Sequence, residues 1–135
     1  MQISLPNFIA PDSPLARPFW DAIDRGEFVL PRCSRCGRWQ WYPDEAGPDC
    51  GGAHYEWVLA PRSGTVYTAT TIRGSFLPGQ SKATLRVVFV ELDGVEGVRV
   101  ALCTMDESIA IADAVRVDVV RCGDRFLPVV VPARG

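Results

Sequence analysis

Histidine is nearly absent from this 135-residue chain: His54 is the only one. A catalytic scheme that needs an imidazole base therefore has one candidate, and none once that ring is engaged elsewhere. Long apolar runs are missing too. No stretch approaches the roughly 18 to 20 residues that cross a bilayer, and the opening "MQISLPNFIAPDSP" has neither the basic nor the apolar region of a secretory signal. The expectation is a cytoplasmic protein that makes no use of the membrane. Positive charge is also in short supply, with 14 Lys and Arg against 16 Asp and Glu, a formal net charge of −2 and a pI of about 5.3. No global field draws in a phosphate backbone, which disfavours non-specific nucleic-acid binding. The sequence has no internal repeat, no low-complexity tract and no phosphate-cradling glycine loop at the start of a helix; "GSFLPGQSK" lacks the order of a P-loop.

What is present suits a folded, mainly β protein. Apolar residues make up 47% of the chain and charged residues 22%, enough to bury a real core and far from a disordered composition. Residues 1 to 12 are punctuated by proline and read as an extended arm. In "DSPLARPFWDAIDRGE", Ser13 as N-cap, Pro14 at the first helical position, the stripe Leu15, Phe19, Trp20 and Ile23, and Gly26 as a stop predict a short amphipathic helix with Pro18 near its first turn.

Three short strands follow, "EFVLPRC", "RWQWYP" and "HYEWVLAP", arranged around two cysteine-containing turns. From Gly64 onward the pattern is strands alone: "GTVYTATTIRG", "TLRVVFVELDG", "GVRVALCTM", "AVRVDVVRC" and "RFLPVVV". Val98, Val100 and Leu102 fall on one face of their strand, as do Val115, Val117 and Val119 on theirs, so one face of each is core. "DESIAIADA", with Asp106 as a candidate cap, is the one segment between them suited to a helical turn. Five strands with a helix after the third match an OB barrel, although other small five-stranded barrels share that pattern. The expected division is an arm and helix over 1–26, a zinc ribbon over 27–60 and an OB-fold domain over 61–135.

The chemistry concentrates in "RCSRCGRWQWYPDEAGPDCGGAH". Cys33 and Cys36 form a C-x2-C pair, and Cys50 and His54 form C-x3-H thirteen residues later. Two such knuckles converging on one ion make the tetrahedral Cys3His set that zinc favours. Gly37 and the Gly51-Gly52 pair supply the backbone freedom that tight knuckles need. Asp49 or a water is the alternative fourth ligand to His54, and a ribbon that has lost its metal is the plainer reading. Five cysteines, an odd number, argue against a disulfide framework. Four protein ligands would close the site to substrate and make the ion structural. A redox pair at Cys33 and Cys36 lacks the βαβ context it needs.

Binding metal through His54 leaves no Ser-His or Cys-His pair. Cys103 and Cys122 read as small buried hydrophobes and the acidic residues as solvated turn charges, so no catalytic residue is assigned. Trp39, Trp41 and Trp57 all fall in the ribbon, where they cover a thin core or dock a partner.

The order of "PFW", "RCSRCG", "GTVYT", "VELD" and "FLP" between Pro18 and Pro132 resembles the OB-fold acyl-CoA-associated family with a rubredoxin-like zinc ribbon, domain of unknown function 35. The resemblance implies an accessory subunit in a hetero-oligomer with a thiolase-like protein, whether thiolase, acyltransferase or retro-aldolase. In such complexes the partner holds the catalytic groups and the OB domain helps hold acyl-CoA. Lipid metabolism, including steroid or aromatic degradation, is the implied setting. The chain departs from the family at "CGGAH", where His54 replaces the usual last cysteine, and at "IAIADAVRV", where relatives often carry a glycine-containing turn. Arg62, Arg73, Lys82 and Arg86 flank the first two barrel strands and, with Phe76 as a ring for adenine, are the candidate CoA contacts; solvated charge is their plainer reading. Two other classes stay open: a single-stranded nucleic-acid-binding OB protein, stacking bases on Tyr67, Phe76 or Phe89, and a free-standing acyl-CoA thioesterase or hydratase.

Overall fold

The computed structural model describes residues 14–43, 54–74 and 83–133. One helix and seven strands occur in them: α1 (Arg17–Asp24), β1 (Val29–Cys33), β2 (Tyr55–Leu59), β3 (Ser63–Gly74), β4 (Ala83–Leu92), β5 (Val100–Thr104), β6 (Ala114–Cys122) and β7 (Arg125–Pro132). The predominance of strand follows from the β-branched composition of the second half.

The helix starts later than the sequence suggests. Ala16 is its N-cap and makes no side-chain capping bond, while Ser13 lies outside the described residues. Proline explains the shift. A helix begun at Pro14 would carry Pro18 beyond its first turn, where the missing N–H and the ring both disrupt the ladder; a start at Arg17 puts Pro18 at a position that needs no donor. Phe19 and Ile23 are buried and Trp20 half-buried, as the stripe requires. The turn at Gly26 ends the helix, with φ at +81° and its N–H donating to the Ile23 carbonyl at 2.9 Å.

β1 and β2 form a two-stranded antiparallel sheet with Pro31 opposite Trp57. The predicted strand "RWQWYP" shrinks to one isolated bridge, Arg32 with Trp39. Only a few groups of that segment reach β1: Gln40 N–H donates to the Pro31 carbonyl (3.0 Å), and Cys33 N–H to the Arg38 carbonyl (2.8 Å). Pro31 offers no N–H in return, so the ladder cannot extend.

The other five strands close into an OB-like barrel in the order β3-β4-β5-β7-β6, and β3 pairs with β6 to seal it. Gly64 lies at that seal, opposite Leu92 on one side and Val115 on the other. A Cβ there would fall 2.5 Å from the Glu91 carbonyl oxygen and 2.9 Å from a Val90 methyl, so only glycine lets the strands meet. The predicted helical turn "DESIAIADA" is instead a pair of tight turns with no helix. Asp106 does cap locally, its carboxylate accepting from the Ser108 N–H at 2.8 Å and from the Ser108 hydroxyl. Asp113 accepts from the Ala110 N–H at 2.8 Å, and these side chains compete with a helical ladder for the same donors.

The β5–β7 seam is the thinnest in the barrel, a parallel contact through Cys103 and Val129. Thr104, the one buried polar residue of the described core, reinforces it: its hydroxyl donates to the Val130 carbonyl (2.7 Å) and accepts from the Asp106 N–H (3.1 Å). The Ala133 N–H donates to the Ala114 carbonyl at 3.2 Å, which makes that pair hydrogen-bonded and, by alternation, leaves Pro128 and Pro132 at positions whose N–H would face away from β6. Proline therefore costs the β6–β7 ladder nothing and blunts the other edge of β7.

One hydrophobic core runs through both parts. Phe19, Ile23, Phe28 and Leu30 share it with Val66, Val88, Val90, Val100, Val115 and Val117, and Trp39, Trp41 and Trp57 pack against it. Core cover is thus where the ribbon tryptophans sit. Phe19 touches Trp41 at 4.7 Å between ring centroids. Asp24 also ties α1 to the barrel through Arg125 Nη2 at 2.8 Å.

Candidate functional site

β1 ends at Cys33, and the chain then turns sharply. The Gly37 N–H donates back to the Cys33 carbonyl at 2.9 Å, and Gly37 takes a φ of +75° that any other residue would adopt only with strain. Cys33 is buried at the root of this turn and Cys36 is exposed on it. The fixed turn keeps both sulfurs on one short loop. His54 arrives from the other side of the sheet. Its carbonyl accepts from the Ser34 N–H (2.7 Å) and the Ser34 hydroxyl (3.0 Å), and Cys33 pairs with Tyr55. The β1–β2 register therefore places the last candidate ligand's backbone beside the first knuckle, 20 residues away in sequence.

Cys50 and Asp49 lie outside the described residues. Among the described residues no three His, Cys, Asp or Glu side chains gather closely enough to hold an ion. Two thiols on one knuckle and an imidazole whose backbone stands beside it are donor types that zinc takes, and Cys50 would add a third sulfur as the fourth ligand. Arg32 stiffens the turn from behind, donating from Nε to the Gly37 carbonyl at 2.8 Å while its guanidinium lies 5.2 Å from the centre of the Trp39 ring.

The ChsH2, rubredoxin-like zinc ribbon domain family matches residues 20–56, the segment that runs from the middle of α1 through both cysteine-containing motifs to the start of β2. This segment is similar to the ChsH2-type zinc ribbon. The whole chain is similar to a chain of the solved "Ltp2-ChsH2(DUF35) aldolase", one of five matching chains of solved structures, with a TM-score of 0.77 and 25% sequence identity over 92% of this chain and 99% of that one. No curated protein sequence matches the chain significantly.

Of the candidate CoA contacts, Arg62 and Arg86 are the ones whose side chains are described. Arg62 donates to the Gly26 carbonyl at 2.7 Å, a bond that joins the first barrel strand to the end of α1. Arg86 grips the loop between β5 and β6: Nε and Nη2 donate to the Ile109 carbonyl at 3.2 and 2.7 Å, and Nη1 to Thr71 Oγ1 at 2.9 Å. Its donors are engaged in holding a loop. Arg73 lies on β3, and Phe76 and Lys82 are outside the described residues. Cys103 is partly buried and burial pushes its thiol pKa up, which suits a small hydrophobe better than a nucleophile. Cys122 ends β6.

Two surface features escaped the sequence reading. Tyr67 occupies a β-bulge of β3, and the Arg99 guanidinium stacks 3.7 Å from its ring centre. A groove of about 850 Å3 also opens on the outer face of β6 and β7, between Val129, Val131 and the loop from Met105 to Ser108. The run "FLPVVV" carried a signal for it, since consecutive apolar residues mean that both faces of β7 need cover.

Proposed function

We propose that this chain is the accessory subunit of a two-component complex of the thiolase or aldolase type that acts on acyl-CoA thioesters. The catalytic groups reside on the partner, a thiolase-like subunit. The observation that carries the proposal is the near end-to-end likeness to a chain of the Ltp2-ChsH2(DUF35) aldolase, at 92% and 99% coverage with the ChsH2-type ribbon in place. The residues support it from below. The backbone of the only histidine stands beside the first knuckle; a ring whose one basic lone pair is given to zinc has none left to act as a base, and Cys103 is a poor thiolate.

Cys33, Cys36, Cys50 and His54 would hold one Zn2+. Closed by four protein ligands, the ion supplies folding energy to a two-stranded module with little core of its own. Arg62, Arg73 and Lys82 would meet CoA phosphates and Phe76 the adenine, with Arg86 fixing the neighbouring loop rather than reaching ligand. Degradation of steroids or aromatic compounds, within lipid metabolism, is the setting this role suits.

Co-expression with a thiolase-fold subunit of the Ltp2 type tests the role. A stoichiometric complex on gel filtration, and a partner that loses activity or solubility alone, are the expected results. A partner fully active by itself, or acyl-CoA turnover by the isolated zinc-loaded chain, would overturn it.

A further inference from the structure

The outer face of β7 is apolar from Leu127 to Val131, and only part of it is covered. Trp20 of α1 and Val131 pack against Val120, Leu127 and Val129, so the helix roofs one end of this stripe. At the other end Val131 and Pro132 line the open groove with Met105, which is 53% exposed. Cross-strand pairing puts Arg116 opposite Val131 and Asp118 opposite Val129, so both charged side chains share the face of the groove. Asp106 and Glu107 stand on the facing loop. Three carboxylates therefore surround an apolar floor, against one guanidinium. Hydrogen bonds from Ser108, the hydroxyl first and the backbone N–H second, hold the Asp106 carboxyl below the usual carboxylate range, so its charge is permanent near neutral pH.

From this geometry we infer that the groove receives an apolar segment of the partner subunit flanked by Lys or Arg. The inference rests on the accessory-subunit reading above. Charge excludes the obvious small ligand, because CoA brings phosphates to a rim that is already negative. Strand addition is disfavoured as well, since β7 is already paired with β5 on one side and β6 on the other. What remains is side-chain docking, with apolar anchors on Val131 and Met105 and basic residues meeting Glu107 and Asp118. The groove continues the stripe that Trp20 already covers, so a partner seated there would complete the burial that α1 begins.

Met105→Asp and Glu107→Lys, both at exposed positions, test the assignment on the full chain against a thiolase-fold subunit of the Ltp2 type that binds the wild-type chain. Met105→Asp should weaken the complex by about tenfold or more at an unchanged melting temperature. Glu107→Lys should weaken it about threefold and flatten its salt dependence, whereas Glu96→Lys, the same charge change on the β4–β5 turn, should change it less than about twofold. Equal effects of the two lysine variants, or wild-type affinity of Met105→Asp, would overturn the inference while leaving the accessory role intact. Slowed hydrogen exchange over residues 105–108 with butyryl-CoA alone would also overturn it, by making the occupant a ligand. Failure of the wild-type chain to bind any such partner would remove both.

Discussion

The ribbon and the barrel are built from the same kinds of residue but held by different means. Five barrel strands pair with one another all the way round, and their valines fill the interior. The ribbon has two strands, a single bridge and a turn pinned by a few hydrogen bonds. Its buried aromatics do not face one another across a closed sheet; they lean on α1 and on the barrel's own core. A closed sheet can stand on packing, whereas a two-stranded sheet is marginal without further support. The helix and the shared core give part of that support, and the proposed zinc would give the rest.

Removing the metal should break this comparison most sharply. Protein purified without chelator is expected to carry about one zinc per chain, and stripping it, or Cys50→Ser, should abolish exchange protection in β1 and β2 while β5 and β6 keep theirs. Metal-coupled folding of small zinc modules is worth on the order of 10 kcal/mol, more than any single side chain contributes. His54→Ala should release the ion and Asp49→Asn should not; the reverse would reassign the fourth ligand.

Phe19→Ala tests how far the two parts share one core. Phe19 meets the rings of Trp20, Phe28 and Trp41, so its truncation should cost about 4 kcal/mol and lower one common transition. Two separated melts would show that the core is divided. Gly64→Ala acts on the barrel alone. Crowding of the Glu91 carbonyl should cost about 2 kcal/mol by denaturant titration, with ribbon protection unchanged.

Asp106 gives a pH-dependent test. Its folded carboxyl titrates below its unfolded value, so its contribution is complete above the ordinary aspartate range near 4 and fades as pH falls through the folded value. The melting difference between wild type and Asp106→Ala should therefore be present at pH 7 and shrink towards pH 3. The smallest expected effect is at Ala112, which holds a φ of +75°. Ala112→Gly should raise stability by about 0.5 kcal/mol, relief of left-handed strain slightly exceeding the added freedom of the unfolded chain.

The barrel strands were readable because alternation of Val with polar residues marks a half-buried strand directly. "AVRVDVV" lies on β6 with Val115 and Val117 buried and Arg116 exposed. The first knuckle was equally readable, since C-x2-C followed by glycine encodes a turn in a few residues. The helix start was misread because Ser13-Pro14 carries every local start signal, and only the ring of Pro18 four residues later overrules it. "RWQWYP" was misread as a strand because its aromatics suit one. Partners for its backbone depend on Pro31, which cannot donate.

Residue types and spacing by themselves determined that this chain would be mainly β, would place two thiols on one tight turn, and would have almost no imidazole to give to catalysis. Those are properties of short stretches, in which each residue's preference is decided by its immediate neighbours. The tertiary structure alone decided that His54 meets Ser34, that Arg62 and Arg86 bond to carbonyls far away in sequence, and that Trp20 covers half of a stripe whose other half stays open. Such contacts join segments tens of residues apart, and their energies depend on which surfaces the closed barrel leaves facing each other.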